Sequence, residues 1–408
     1  MNPDELVQGI GANIRAYRKS AGLTQEALAA AVGKSLPWLK QIEQGRTSTD
    51  RLTDLINIAS VVGVELPDLL GRPVDTLAPG YAPRHDIVDA VRDAVLRTAV
   101  PINAPGHDVP DLDALSERVS GAWTIWHNSP TAHRVLGGLL PELIIDANAA
   151  YVVNDDRRSA AATLAGTWHI TRQWLHHIPD GDLAWVVGER AMNTAREADD
   201  PHLIALGAWA LSASYRRAGQ QEEATRLCLN AADEVKRRID ASSEERLDLL
   251  ADYGMLHLAA SVSAAQSNDD GRAWALHNVA DETAHALGAH IDPWTIFGRG
   301  NVDIHGLALQ AELGRADAVV EYSRRLNLNS VPSVERRSRA MIDTARGLVR
   351  RREDEGAILV LLDAENASAD EVHHSIVVGE LLRELINRDN ARARAHVQGL
   401  AKRCGIIR

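Results

Sequence analysis

Apolar residues recur at three- and four-residue spacing along almost the whole chain, and no alternating β-branched run of strand length is bounded by hairpin signals. A chain patterned this way buries its apolar faces as helices, so the sequence predicts an all-α protein. Composition decides only what fills the core. With 45% hydrophobic and 25% charged residues, wholesale disorder is excluded. A single Phe against nine Trp leaves most of the packing to Val, Ile, Leu and Ala. At 408 residues the chain is too long for one ordinary domain.

The break falls at Gly71–Pro83, where three Pro and two Gly occur in thirteen residues. We expect a first domain over residues 1–71, a linker over 72–83 and a second domain over 84–408. Residues 101–110, with three Pro and one Gly, form a second soft stretch. Charge divides at the same place. Residues 1–72 hold eight basic and eight acidic side chains, so the other 336 residues carry the entire net charge of −12. A neutral head on an acidic body argues against non-specific polyanion binding by the molecule as a whole. Asp4 and Glu5 stand where a signal peptide carries basic residues, and no apolar run approaches the roughly 18 residues of a membrane span. Cys228 and Cys404 make neither a disulfide scaffold nor a zinc site. A cytoplasmic protein without a membrane partner is expected.

The head reads as five short helices with legible punctuation. Glu5–Ser20 is amphipathic, with Leu6, Ile10, Ile14 and Tyr17 on one face. Thr24 is a good cap for Gln25–Val32. Gly33 breaks the chain, and Ser35 caps a helix to Gln44 that carries Pro37 in its first turn. Gly45 ends that helix, and Ser48 or Thr49 opens another that ends near Gly63. The segment Thr24–Gly45 has the spacing of a helix-turn-helix. Ala29 is small where two helices cross, Gly33 supplies the positive φ of the turn, and Leu39 and Ile42 seat the second helix on the first. This leaves Leu36, Pro37, Lys40 and Gln41 facing outward together.

The segments Arg15-Ala-Tyr-Arg-Lys-Ser-Ala-Gly-Leu-Thr-Gln-Glu-Ala-Leu-Ala and Gln41-Ile-Glu-Gln-Gly resemble the signature of the Xre family of phage-repressor-like regulators. The resemblance implies that the second helix enters the major groove of double-stranded DNA. Carried over by position, the readers are Leu36, Pro37 and Gln41, with Lys34, Ser35 and Lys40 beside them. Gln41 can pair with adenine and Leu36 can lie on a thymine methyl. Gln25 would grip a phosphate, as would Gln44 or Arg46 after the second helix. Arg18 and Glu43 match the family's internal ion pair. Many relatives have polar residues at the positions of Leu36 and Pro37, so DNA shape is expected to contribute to recognition here. A neutral head makes few phosphate contacts, which calls for a homodimer on an inverted-repeat operator with half-sites roughly 34 Å apart.

The body repeats more loosely. Ala184, Ala224, Ala273, Ala318 and Ala357 each sit early in a predicted helix, at intervals of 40, 49, 45 and 39. Four of the five have a second Ala seven residues on, and the departure is Arg325. Small residues on successive turns let antiparallel helices approach closely. The segment from Ala208 to Ala231, with Leu211, Tyr215, Gly219 and Ala224 at matching places, resembles a tetratricopeptide repeat. The whole of 84–408 resembles the helical-repeat sensor half of actinobacterial Xre-type regulators, and also the peptide-pheromone receptors of the same two-part layout. Such an array forms a superhelix whose concave groove is lined by the first helix of each pair. With the alanines held in register, the inward-facing residues are His169, Gln173, His176, Trp209, Arg216, Arg217, Asn301, His305, Arg339, Arg346 and Arg350. That set holds five Arg and no carboxylate, which suggests a cationic groove for a peptide or small anionic effector.

Trp123, Trp126, Trp168, Trp174 and Trp185 fall at spacings expected of core residues. Adjacent His176-His177 and His373-His374 point about 100° apart on a helix and make poor metal ligands. No P-loop, GxSxG, HExxH or GxGxxG motif is present. Neither catalytic residues, nor a metal, nor a cofactor is expected. The sequence thus points to a DNA-binding transcriptional regulator with an effector-binding, dimerising repeat body. The alternative is an interaction module whose body docks a protein while the head tethers it to DNA.

Overall fold

Short polar side chains mark where many of the helices begin. The computed structural model describes residues 10–44 apart from 12, 16 and 20–22, then 52–62, 86–98, 109–178, 181–242 and 246–407. All regular structure among them is helical. Thr24, Ser35, Asp111, Asp156, Asp200, Asp269, Ser333, Ser368 and Ser375 each accept a hydrogen bond from a backbone N–H in the first turn that follows. Each such cap satisfies a donor that the helix itself leaves without a partner. The chain divides into two compact units, Met1–Tyr81 and Ala82–Arg408.

The first unit contains helical residues between 10 and 19 (α1), then α2 (Gln25–Ala31), α3 (Leu36–Glu43) and α4 (Leu52–Val62). Its core is Ile14, Leu28, Ala29, Leu39, Ile42, Leu55, Ile58, Ala59 and Val62. Gly11 is required there: a Cβ would stand 2.2 Å from the carbonyl oxygen of Ile42. The fifth helix expected of the head, the expected caps Ser48 and Thr49, and the linker 72–83 lie outside the described residues.

The second unit opens with α5 (Asp86–Arg97), α6 (Leu112–Asn128) and α7 (Ala132–Val153). Two helical pairs follow, α8 (Arg157–Trp174) with α9 (Gly181–Ala198) and α10 (Pro201–Arg217) with α11 (Gln221–Ala241). Three more are α12 (Leu247–Gln266) with α13 (Asp270–Leu287), α14 (Arg299–Glu312) with α15 (Ala316–Ser323), and α16 (Val334–Arg350) with α17 (Asp354–Ala367). The unit ends in α18 (Ala369–His373), α19 (Ile376–Arg388) and α20 (Arg394–Arg403). By length and composition α7 could cross a membrane. Here it is a core helix: Leu136, Leu140, Leu143, Ile144, Ala147 and Ala150 are buried, and its buried Asp146 accepts a 2.6 Å hydrogen bond from Arg118.

The repeat is clearest in the turns. Gly219, Asn268, Gly314 and Arg352 all have φ between 59° and 74°, and each ends the first helix of a pair. The residue after each donates its N–H to the carbonyl five positions back: Gln220 to Tyr215, Asp269 to Ala264, Arg315 to Gln310 and Glu353 to Leu348, at 2.9–3.0 Å. This is the Schellman closure of a helix C-terminus, made four times over. Ala224, Ala273 and Ala357 stand five residues beyond their turns and are fully buried. In the remaining pair that position is Val319, 1% exposed, while Ala318 is only half-buried. The alanine register is therefore one residue off at α15, which accounts for the misfit of Arg325. The small partner has moved to the facing helix: a Cβ on Gly347 would stand 2.6 Å from Cγ1 of Val319.

Trp123, Trp126, Trp168 and Trp174 are at most 2% exposed and fill the first layers of the body. Trp185 is half-buried, edge-on to Tyr215. The single phenylalanine, Phe297, is fully buried against α12, where Gly254 makes room for its ring. The two ends of the array meet. His127 on α6 contacts Ser333 Oγ at 3.1 Å and the Trp294 carbonyl at 2.9 Å, Ser368 donates to the Pro130 carbonyl, and Asp370 caps α7.

Candidate functional site

Two surfaces concentrate functional chemistry, one in each unit. In the first unit, α2, the turn at Gly33 (φ 69°) and α3 form a helix-turn-helix. Arg18 holds it together. Its Nε and Nη2 donate to the two oxygens of Glu43 at 2.6 and 3.0 Å, and its Nη1 donates to the Leu23 carbonyl. Gln25 Nε2 donates to Glu43 at 2.8 Å. Burial by itself would raise the Glu43 carboxyl. The bonds from Arg18 and Gln25 and the charges of Arg18 and Arg15 hold it below the usual range instead. The start of α2 is thereby tied to the end of α3.

This arrangement sorts the nine DNA-binding candidates. Pro37, Lys40, Gln41 and Gln44 are exposed and Leu36 is half-exposed, all on or at the end of α3. Three others have internal work. Gln25 belongs to the Glu43 network, Ser35 caps α3, and Lys34 pairs with Asp54 at 2.9 Å while lying over the Trp38 ring. Arg46 lies outside the described residues.

In the second unit a cavity of about 390 Å³ is lined by the first helix of all five pairs. Gln173 and His176 come from α8 and the turn after it, Trp209, Arg216 and Arg217 from α10, His305 from α14, and Arg339 and Arg346 from α16. Ala210, Ala213, Ala259 and Ala308 keep the interior hollow, because short side chains leave the space between helices unfilled. A second cavity of about 330 Å³ continues from it past His176, Arg217 and Arg339 toward α19. Three expected lining residues are elsewhere. His169 is buried, its Nε2 bonded to the Leu203 carbonyl at 3.0 Å, and burial lowers it to about 3. Asn301 is buried at the start of α14, and Arg350 is exposed at the end of α16, beside Gly314.

The lining also holds residues that the helix projection did not select. Arg172 and Arg336 add two guanidiniums, and Gln266 and Val262 bring in α12. The absence of carboxylates expected from the sequence is corrected: Glu312 and Asp343 line the cavity too. A strict i, i+3, i+4 stripe is narrower than the arc that a curved array turns inward, and neighbours such as Arg172 and Glu312 fall on its margins. A wider arc on each helix takes in all six.

Charge is unevenly distributed between the walls. On α16, Arg346 donates to Glu312 at 2.7 Å with Asp343 at 3.9 Å, and Arg339 lies 3.5 Å from Glu335. Burial disfavours the charge on Arg339 and Arg346, but these carboxylates outweigh it and raise both. Asp343 is pushed up to about 6 by burial against the pull of Arg346 and Arg339. On α8 and α10 the partners are neutral. Arg172 meets the Ala210 carbonyl and Ser214 Oγ. Arg216 meets Ser212 Oγ at 3.0 Å, and Arg217 donates to the His176 carbonyl. Burial, then Arg217 and Arg216, lowers Arg172 to about 9.

Residues 10–71 match the family model of a helix-turn-helix domain, and they define this part of the chain as one. No curated protein matches the chain. Among solved structures, PlcR of Bacillus thuringiensis, in complex with the peptide PapR7 and DNA, is similar over 85% of this chain and 98% of that one, at 10% identity and a TM-score of 0.33.

Proposed function

We propose that the protein is a cytoplasmic, sequence-specific transcriptional regulator of the Xre type. Its head, residues 1–71, binds double-stranded DNA. Its body, residues 84–408, is a tetratricopeptide-like sensor joined by the linker 72–83. The observation that carries the reading is the outward face of α3: Pro37, Lys40 and Gln41 stand exposed on a helix whose other face is locked by Arg18 and Glu43. A helix so held offers base-reading side chains from a preset position. The body binds an anionic effector in the arginine-lined cavity and mediates homodimerisation on an inverted-repeat operator. An effector bound there would shift the spacing of the two heads and so the affinity for DNA.

The test is to sequence genomic DNA fragments retained by the purified protein, with a Lys40→Ala, Gln41→Ala double variant alongside. A shared inverted repeat lost in the variant is the expected result. No enrichment, together with a co-purifying stoichiometric protein, would replace this reading by that of a docking module.

A further inference from the structure

Six arginines border the cavity, yet they are not equivalent. Each of the three cavity arginines on α16 has a carboxylate within 4 Å: Arg336 and Arg339 have Glu335, and Arg346 has Glu312. Arg172, Arg216 and Arg217 have no carboxylate within 4 Å among the described residues. Beyond the effect of burial, Arg217 and Arg216 weaken the hold of Arg172 on its proton, Arg339 weakens that of Arg217, and Arg339 and Arg217 weaken that of Arg216 against the more distant pull of Glu312. Arg172 is 2% exposed, and its Nε has no hydrogen-bond partner. Removing the Arg172 guanidinium from water without an adjacent counter-charge is costly, and placing half-buried Arg216 and exposed Arg217 beside it adds like-charge repulsion. The rest of the body carries a strong excess of acid and could readily have supplied an aspartate or glutamate here.

We propose that this wall is the subsite for a phosphate group, and that the effector is an organic phosphate whose non-polar part lies against Trp209 and the alanine floor. The inference rests on the reading of the cavity as an effector site and names the class of its ligand. One carboxylate would balance one of the three guanidiniums. A phosphate monoester brings close to two negative charges and three strong acceptor oxygens, which matches a cluster of planar, multidentate donors. Trp209, half-exposed in the cavity with Arg336 packed 6.0 Å from its ring, offers a flat apolar surface beside that cluster. Ala210, Ala213 and Ala259 leave the adjoining volume unobstructed. The compensated wall on α16 has its charges already satisfied and would bound the ligand without demanding a second anion.

Phenyl phosphate and benzoate share a ring and differ in the anion, so the two compounds serve as probes of the full-length protein, titrated by calorimetry at equal ionic strength. Phenyl phosphate is expected to bind at least tenfold more tightly than benzoate. Arg216→Gln and Arg217→Gln should each weaken it tenfold or more, whereas Arg350→Gln, outside the cavity, should not. Arg217 is exposed, so its variant tests the site without threatening the fold, and Arg216→Lys restores the charge where Arg216→Gln removes it. Equal binding of the two compounds, or phenyl phosphate binding that survives both glutamine substitutions, overturns the proposal. Tighter binding of benzoate overturns the phosphate subsite and leaves an anion site. If neither compound binds, the proposal and the anionic-effector reading fall together, while the operator experiment judges the DNA-binding head separately.

Discussion

The carboxylate of Asp370 accepts hydrogen bonds from the backbone N–H of His133 at 3.1 Å and of Arg134 at 3.3 Å, so the helix that starts at Ala132 is capped by a residue 237 positions away. The local candidate, Thr131, makes no capping bond. Asp370→Ala should lower the stability of the body by about 1 kcal/mol, and Asp370→Asn, which keeps an acceptor, by much less. Urea titration followed by tryptophan fluorescence measures both. Equal losses would show that charge rather than capping is what matters.

His202 Nδ1 lies 2.9 Å from Asp252 Oδ2 in the interior of the body. Burial opposes a charged imidazole, but Asp252, then Asp292 and Asp200, outweigh it and raise His202 to about 9. Asp252 is itself raised, to about 7, by burial against the pull of His202. Both shifts have one sign: the folded pair keeps protons that the unfolded chain gives up. The contribution of His202 is complete below its unfolded value of 6.5 and is lost as pH rises toward 9. Stability should fall across that window by on the order of 3 kcal/mol, and His202→Asn should flatten the profile. Below 6.5 the slope reverses, because His127, His169 and His305 are lowered to between about 3 and 4, chiefly by burial, and must be protonated on unfolding. Urea midpoints from pH 4 to pH 9 test both limbs.

In the head, Glu43→Ala leaves Arg18 nearly buried without its counter-charge. A loss on the order of 3 kcal/mol is expected, enough to unfold a domain of this size. Replacing both residues by Met should cost less than either single alanine substitution. Thermal melts of the three variants decide whether the pair stabilises through charge or through packing.

Arg352 adopts φ 61° at a turn where Gly219 and Gly314 occupy the same conformation. Arg352→Gly should stabilise the body by about 1 kcal/mol, since a side chain is disfavoured in that region. Gly219→Ala should destabilise it by a similar amount. Parallel shifts of the two variants in the same direction would exclude backbone strain as the cause.

Lys40→Ala should weaken operator binding and reduce its dependence on salt by about one phosphate contact. Gln41→Ala should cost about 1–3 kcal/mol at one base position. Lys34→Ala should act differently, lowering the stability of the head through the lost Asp54 pair. Fluorescence anisotropy across a salt series, with a melt of each variant, separates the two kinds of effect.

The all-α fold was legible because helical periodicity and capping residues are local properties. Thr24, Ser35 and Gly33 do in the structure what their chemistry suggests, and the Arg18–Glu43 pair forms. Where the sequence misled, the determinant was not local. Ala318 looked like a register mark, but the register follows the turn at Gly314 and falls on Val319, with Gly347 on another helix yielding the space. Asn268 and Arg352 conceal two of the four identical turns because neither is a glycine. At the cavity, Gln173, Trp209, Arg216, His305, Arg339 and Arg346 were reached by projecting one stripe on each helix. His169, Asn301 and Arg350 lay on the same stripe but fell at helix contacts or beyond the cavity's rim. Curvature of the array decides which part of a stripe faces inward, and curvature arises from packing between residues far apart in sequence.

Arg172 and Arg346 border one cavity from opposite ends of the five-pair array. A molecule held between such walls touches every layer of the coil at once, as a bolt passed through a spring touches every winding. The ends of the array are tied to each other through Asp370 and Ser333. On the proposed reading, a ligand recognised at the centre would thus be converted into a dimension of the whole coil.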